Sequence, residues 1–288
     1  MPRVERIDGL DTWMVGDRNF GSMGGNVIRK DNNKLLGRLA FPKLEQAHPG
    51  GHIVKDRLAA MDDMGVYAQI CYQNSGVTQA GSLMSLGDPD LALKIIQIYN
   101  DASAEYQETS GQRIFNMIHL PFWDKAEMEK ELKRCIDMGL KGVVLPDRPE
   151  RLSEGYLAEG GGISPFWEEV FEICHSQGIP INYHLNSSLD AESAMWNNLG
   201  FDQRLPISAL IHHIGCATTM SNFMVTGLLD KYEDLKIGLI ESGAGWIPFM
   251  LEALEHQFDD RRGAEDRVRV PEERGGVLDP RATEEPAL

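Results

Sequence analysis

The chain has 288 residues, of which 42% are hydrophobic, 25% charged and 8% aromatic: an ordinary globular composition with enough apolar side chains for a large core. No apolar run approaches the roughly 18 residues of a membrane span, and the opening Met1-Pro2-Arg3-Val4-Glu5-Arg6 lacks the apolar stretch of a signal peptide. With 28 basic against 44 acidic residues the formal charge is −16, which disfavours nucleic acid and anionic membrane as partners.

Residues 1–52 read as an irregular, partly β lead-in. Asp11–Val15 suits a strand, Gly16-Asp17 a turn, and the glycines and prolines from Gly21 to Gly51 mark loops. A repeating grammar then begins. Arg57–Met64 reads as a helix closed by Gly65, before the strand-like run Val66–Tyr72. Asp88 caps a helix with Pro89 in its first turn, and Ile95, Ile96 and Tyr99 share one face; the strand Ile114–Leu120 follows. Asp124 with Glu127 resembles a capping box, and Met128, Leu132 and Cys135 form the helix stripe ahead of the strand Gly142–Leu145. Ser164-Pro165 opens a helix with Phe166, Val170, Phe171 and Cys174 on its apolar face, closed by Gly178 before Ile179–His184. A long helical region, with a break expected near Gly215, spans 207–232 and leads to the strand Leu235–Ile240; Ile247–Phe258 is a last helix.

Five buried-type strands thus alternate with helices between residues 53 and 260, the pattern of parallel strands joined by right-handed crossovers. Asn74, His119, Asp147, His184 and Glu241 all fall just after strand ends, where (β/α)8 barrels carry their chemistry. No GxGxxG follows the first of these strands, which argues against a dinucleotide fold. The expected fold is therefore a TIM-barrel-like α/β domain over 53–260. With five strands instead of eight, the barrel is expected to be incomplete. Residues 261–288, with 13 charges and no aromatic residue, read as a disordered tail. The four cysteines, Cys71, Cys135, Cys174 and Cys216, form no CxxC and read as reduced, mostly buried thiols of a cytoplasmic protein.

Met220–Phe249, with its Glu241-Ser242-Gly243-Ala244-Gly245-Trp246-Ile247-Pro248 stretch, resembles the amidohydrolase-2 family, in the branch related to aminocarboxymuconate-semialdehyde decarboxylase. Arg57–Asp62 with Gly65–Gln69, and Gly139–Pro146, match the same family in order. The resemblance implies a (β/α)8 barrel of metal-dependent hydrolases and non-oxidative decarboxylases, with a zinc or manganese ion at its mouth. It also implies an HxH pair on the family's first strand and an aspartate on its last; neither segment occurs in this chain, so only the central part of that site is expected.

By the same resemblance His184 matches a metal-ligand histidine, the alternative being a hydrogen-bonded pocket histidine. Glu241 is placed to ligate metal or act as general base, or else to accept from the backbone of the Ser242-Gly243 turn. Arg57 aligns with an arginine that grips the substrate carboxylate, a task suited to its forked donors; the alternative is a helix-surface arginine paired with Asp62 or Asp63. His119 is a pocket-lining candidate, and Trp246 and Phe249 are core or pocket wall. His212 and His213 point in different directions along a helix and suit no joint site, while His175 and His256 read as solvated. No Gly-x-Ser-x-Gly elbow or Walker loop occurs.

The expected function is hydrolysis or decarboxylation of a small carboxylated, possibly aromatic substrate. His184 and Glu241 would be its catalytic and metal-binding residues, and Arg57, His119 and Trp246 its substrate contacts. Two alternatives stand beside it: a metal-free lactonase-type hydrolase, and a truncated, non-catalytic remnant or partner subunit. Uncovered sheet edges of an incomplete barrel point to a homo-oligomer.

Overall fold

A computed structural model describes residues 1–22, 29–31, 43–73, 80–184, 196 and 198–268. The lead-in glycines Gly24, Gly25 and Gly37, Pro42, Asn74 and the tail from 269 lie outside them, as do the side chains of His212 and His213. The chain forms two compact units, Met1–Gly243 and Ala244–Leu288.

The first unit opens with an antiparallel meander, β1 (Pro2–Ile7), β2 (Leu10–Val15) and β3 (Arg18–Ser22), with a register shift between Thr12 and Met14; β2 and the Gly16-Asp17 turn fall where the partly β lead-in was expected to have them. β1 carries no apolar alternation in sequence and was not expected. Its turn, Asp8-Gly9, has positive φ at both residues (50° and 81°), the Asp-Gly signal of a two-residue hairpin. Val15 packs with Leu83, Ala92, Ile95 and Ile96, seating the meander on helices α2 (Ala80–Ser85) and α3 (Pro89–Thr109). Asp11 carries the lead-in further: it accepts from Arg6 at 2.8 Å and from the Leu44 amide at 2.7 Å.

After α1 (Val54–Asp63), the five parallel strands appear as expected: β4 (Gln69–Cys71), β5 (Ile114–Asn116), β6 (Val143–Pro146), β7 (Ile181–His184) and β8 (Ile237–Leu239). The Ile118 amide donates to Gly142 at 2.8 Å and the Val144 amide to Ile118 at 3.0 Å, so β5 and β6 are joined and the strands run in chain order. This ladder does not close among the described residues: β4 and β8 each lack a second neighbour. The alternation of strands and helices is the one expected of a (β/α) barrel.

The arc is curved. Tyr72, just past β4, donates its hydroxyl to Asn182 of β7 at 3.0 Å. Three flat strand spacings would hold those backbones about 14 Å apart, too far for a tyrosine and an asparagine to meet. Two glycines leave room on the concave face. A Cβ at Gly142 would lie 2.7 Å from the Met117 sulfur, and one at Gly238 2.7 Å from Asn182 Oδ1.

Helices α4 (Lys125–Asp137) and α5 (Glu168–Gln177) follow β5 and β6. Met128, Leu132, Cys135, Val170, Phe171 and Cys174 are all fully buried, as their stripes predict. Half of the expected capping box forms. The Asp124 carboxylate accepts from the Glu127 amide at 3.0 Å, while Glu127 itself pairs with Lys130. Helix α6 (Phe201–Thr226) begins earlier than expected and passes unbroken through Gly215; the break falls at Gly227 (φ 69°), before the short α7 (Leu228–Lys231). A cluster of Tyr156, Trp167, Phe171, Tyr183, Phe223 and Tyr232 seals this side of the arc. In the second unit, α8 (Trp246–Val268) runs past residue 260, where the tail was expected to begin. Among the described residues no helix is long and apolar enough to cross a membrane.

Candidate functional site

The C-terminal ends of the parallel strands bring two predicted residues together. His184 ends β7 and Glu241 follows β8, and His184 Nε2 lies 3.5 Å from Glu241 Oε2. The imidazole is mostly buried (15% exposed), whereas the carboxylate is 65% exposed and faces solvent. Glu241 takes a positive φ of 57°, a conformation that a glutamate adopts only at some cost in energy. Burial pushes the His184 pKa below its ordinary value, opposed by the charges of Glu241 and Asp147. The imidazole is therefore neutral near pH 7, with one nitrogen a donor and the other an acceptor. Its Nδ1 is buried and has no hydrogen-bond partner.

His119 lies beyond β5 and is almost wholly buried, its Nε2 likewise without a partner. Desolvation, assisted by nearby His184, pushes its pKa down to about 3. Tyr99 meets the ring edge-on, with centroids 4.6 Å apart. Asn100 of α3 grips the His119 backbone at both ends: its carbonyl accepts the His119 amide at 3.0 Å, and its amide donates to the His119 carbonyl at 2.9 Å. The same amide donates to buried Glu131 at 2.8 Å, which Arg134 holds with two bonds of 2.7 and 2.8 Å. Asp147 follows β6 and is buried, its carbonyl accepting from the Thr219 hydroxyl.

Arg57 is engaged elsewhere. Its Nε donates to Gln69 Oε1 at 2.8 Å and Nη1 to the Gly50 carbonyl at 3.2 Å, and its charge reaches the Cys71 thiol. Asp62, one of its expected partners, pairs with Arg113 instead, at 2.6 Å. Trp246 opens α8 in the second unit. His175 packs beside Tyr232 instead of standing free in solvent, and exposed His256 lies 3.5 Å from Asp260. All four cysteines are free thiols, three of them buried. A cavity of about 770 Å³ lies at the other end of the strands, lined by Ile70, Phe115, Met117, Lys141, Pro180 and Asn182, away from the His184–Glu241 pair.

Two residues of the site went unread in the sequence, Tyr72 and Asn182. In Ile181-Asn182-Tyr183-His184 the polar residues alternate, so Asn182 shares a face with His184. That period of two was the available signal. Tyr72 had none, because its partners lie more than 100 residues away.

The described residues do not make a metal centre. No group of three or more His, Cys, Asp or Glu side chains among them is arranged to hold an ion. The His184–Glu241 pair alone falls short of the three or four protein ligands that zinc takes.

No protein-family model matches the chain, and no curated protein does. Its backbone is similar to those of solved amidohydrolase-superfamily structures. One is an amidohydrolase from Mycobacterium avium subsp. paratuberculosis (14% identity, TM-score 0.62, covering 91% of this chain and 71% of that one). A second is 5-carboxyvanillate decarboxylase from Sphingomonas paucimobilis (21%, 0.54, 72% and 57%). A third is 5-carboxyvanillate decarboxylase from Novosphingobium aromaticivorans, complexed with manganese and 4-hydroxy-3-methoxy-5-nitrobenzoic acid (19%, 0.52, 72% and 55%). At these identities the likeness is one of fold. The chain spans little more than half the length of the two decarboxylases.

Proposed function

We propose that the chain is an amidohydrolase-type hydrolase or non-oxidative decarboxylase acting on a small carboxylated substrate at the strand ends carrying His184 and Glu241. The observation that carries this reading is the 3.5 Å approach of the buried His184 to the Glu241 carboxylate at the exits of adjacent parallel strands. The similarity to amidohydrolase and decarboxylase structures supports the reaction class.

Nδ1 is buried, so proton exchange falls to Nε2, which faces the largely exposed Glu241 carboxylate. Nε2 takes a proton from water for hydrolysis and returns it to the leaving group; for decarboxylation it is first protonated from solvent and delivers that proton to carbon as carbon dioxide leaves. Glu241 stabilises the imidazolium formed between the two transfers. Both reactions need the same proton carrier, so the pair serves either. A divalent ion of the kind held by the Novosphingobium enzyme would draw on these two side chains, but the described residues supply no third. The neutral His184 suits the metal-free lactonase reading as well.

The test is turnover of small aromatic and aliphatic carboxylates and lactones, followed by carbon dioxide release and by ring opening, with added manganese or zinc and after chelation. His184→Asn and Glu241→Gln are expected to lower kcat at least ~100-fold, the usual contribution of a positioned acid or base. Glu241→Gly, which suits the positive φ, is expected to keep the fold and lose the rate. Full activity in either His184→Asn or Glu241→Gln, or no turnover by the unmodified chain on any of these substrates, overturns the proposal.

A further inference from the structure

The His184 ring needs an orientation, and its hydrogen bonds do not supply one. Nδ1 is unpartnered, and Nε2 has only a 3.5 Å contact with a carboxylate that is largely in solvent. A free imidazole at a strand end turns about its Cβ–Cγ bond, and that torsion is broad. The structure supplies a restraint from an unexpected quarter. The Tyr72 ring lies flat on the His184 ring, with centroids 4.9 Å apart and planes 3° from parallel.

The tyrosine is itself held at both ends. Its backbone leaves β4, and its hydroxyl donates to Asn182 Oδ1 at 3.0 Å. Asn182 is fixed in turn, its amide facing the Val143 carbonyl and the Met117 sulfur, each at 3.3 Å. Gly238 of β8 leaves the space that Asn182 Oδ1 fills. Burial raises the Tyr72 pKa, so the hydroxyl keeps the proton it donates. The chain of contacts crosses the concave face from β4 to β7 and β8, and His184 lies at its end.

We infer that Tyr72 is a positioning residue: stacked on His184 and tethered to Asn182, it holds the imidazole with Nε2 toward the exposed Glu241 carboxylate and Nδ1 turned inward. Its kinetic consequence rests on the proton-carrier role proposed for His184, whereas the clamp itself does not. Misplacing a catalytic group by about an ångström costs rate without loosening substrate binding.

The experiment compares Tyr72→Leu, which removes the stack, with Tyr72→Phe, which keeps the ring and loses the tether. The first readout is NMR of the His184 ring protons, assigned with His184→Asn. An upfield ring-current shift and a single ordered ring are expected in the unmodified chain and in Tyr72→Phe, and both are expected to vanish in Tyr72→Leu. The second readout is kinetics. Tyr72→Leu is expected to lower kcat ten- to a hundredfold with KM within about threefold, and Tyr72→Phe to recover most of that loss. No ring-current shift in the unmodified chain overturns the clamp. So does a Tyr72→Leu chain that loses the shift yet keeps an ordered His184 ring or an unchanged kcat. A chain without turnover on any substrate overturns the proposed function alone, and the NMR readout still decides the clamp. Gly238→Ala is the second variant: by crowding Asn182 it is expected to weaken the ring-current shift while Tyr72 is intact.

Discussion

His119 shows how one buried side chain makes stability depend on pH. Unfolded, its imidazole binds a proton near pH 6.5; folded, desolvation and the nearby His184 hold that pKa down to about 3. The unfolded state therefore binds more protons between those values, and the stability contributed by neutral His119 is complete above pH 6.5 and falls as the pH drops toward 3. One proton corresponds to about 1.4 kcal/mol per pH unit. Carboxylates with lowered pKa, Asp11 and Glu168 among them, lose their contribution as the pH falls through their ordinary values near 4 and below, so pH 6.5 to 5 reports mainly the histidines. Urea melts over that window are expected to show the chain weakening with acid, and His119→Gln, which cannot titrate, to flatten the slope. An unchanged slope in that variant would place the sensitivity elsewhere.

At the scale of the element, local signals carried most of the secondary structure. Asp88 accepts from the Leu91 amide and Asp124 from the Glu127 amide, each at 3.0 Å, as N-caps read from the sequence should. Asp88→Ala and Asp124→Ala are each expected to lower stability by about 1 kcal/mol in equilibrium unfolding, with Asp→Asn variants recovering most of it. Where local signals failed, the cause was also local. The Asp8-Gly9 hairpin gives a weak sequence signal because β1 is almost entirely exposed and lacks an apolar face. Gly215 looked like a helix break because glycine is a poor helix former, yet α6 passes through it and the buried Cys216, Thr219 and Phe223 fasten that stretch to its neighbours. Tertiary packing outweighs a propensity deficit of about 1 kcal/mol.

At the scale of the molecule the open arc leaves edges. Neither β4 nor β8 has a second strand partner among the described residues, and Tyr67 just before β4 and Ile70 within it are 83% and 61% exposed. Unpaired backbone flanked by large apolar side chains invites association. We propose a homo-oligomer. Light scattering is expected to give at least twice the 32.2 kDa chain mass, and Ile70→Lys at the β4 edge to shift the population toward monomer. A monodisperse monomer for the unmodified chain would refute it.

The division between what was legible and what was not follows the range of each interaction. The alternation of helices and five parallel strands, the buried stripes on α3, α4 and α5, the N-caps and the strand-end positions of His119, His184 and Glu241 all follow from patterns a few residues long, because helix and strand periodicity decide which side chains share a face. Which strand-end residues meet does not follow from such patterns. Tyr72 and Asn182 are 110 residues apart, and their contact depends on strand order and on the curvature of the arc. The same geometry brings His184 to Glu241 and leaves Arg57 with Gln69 and Gly50. Contacts between side chains on different strands are set by how the sheet closes on itself, a property of all the packed elements together that no single segment encodes.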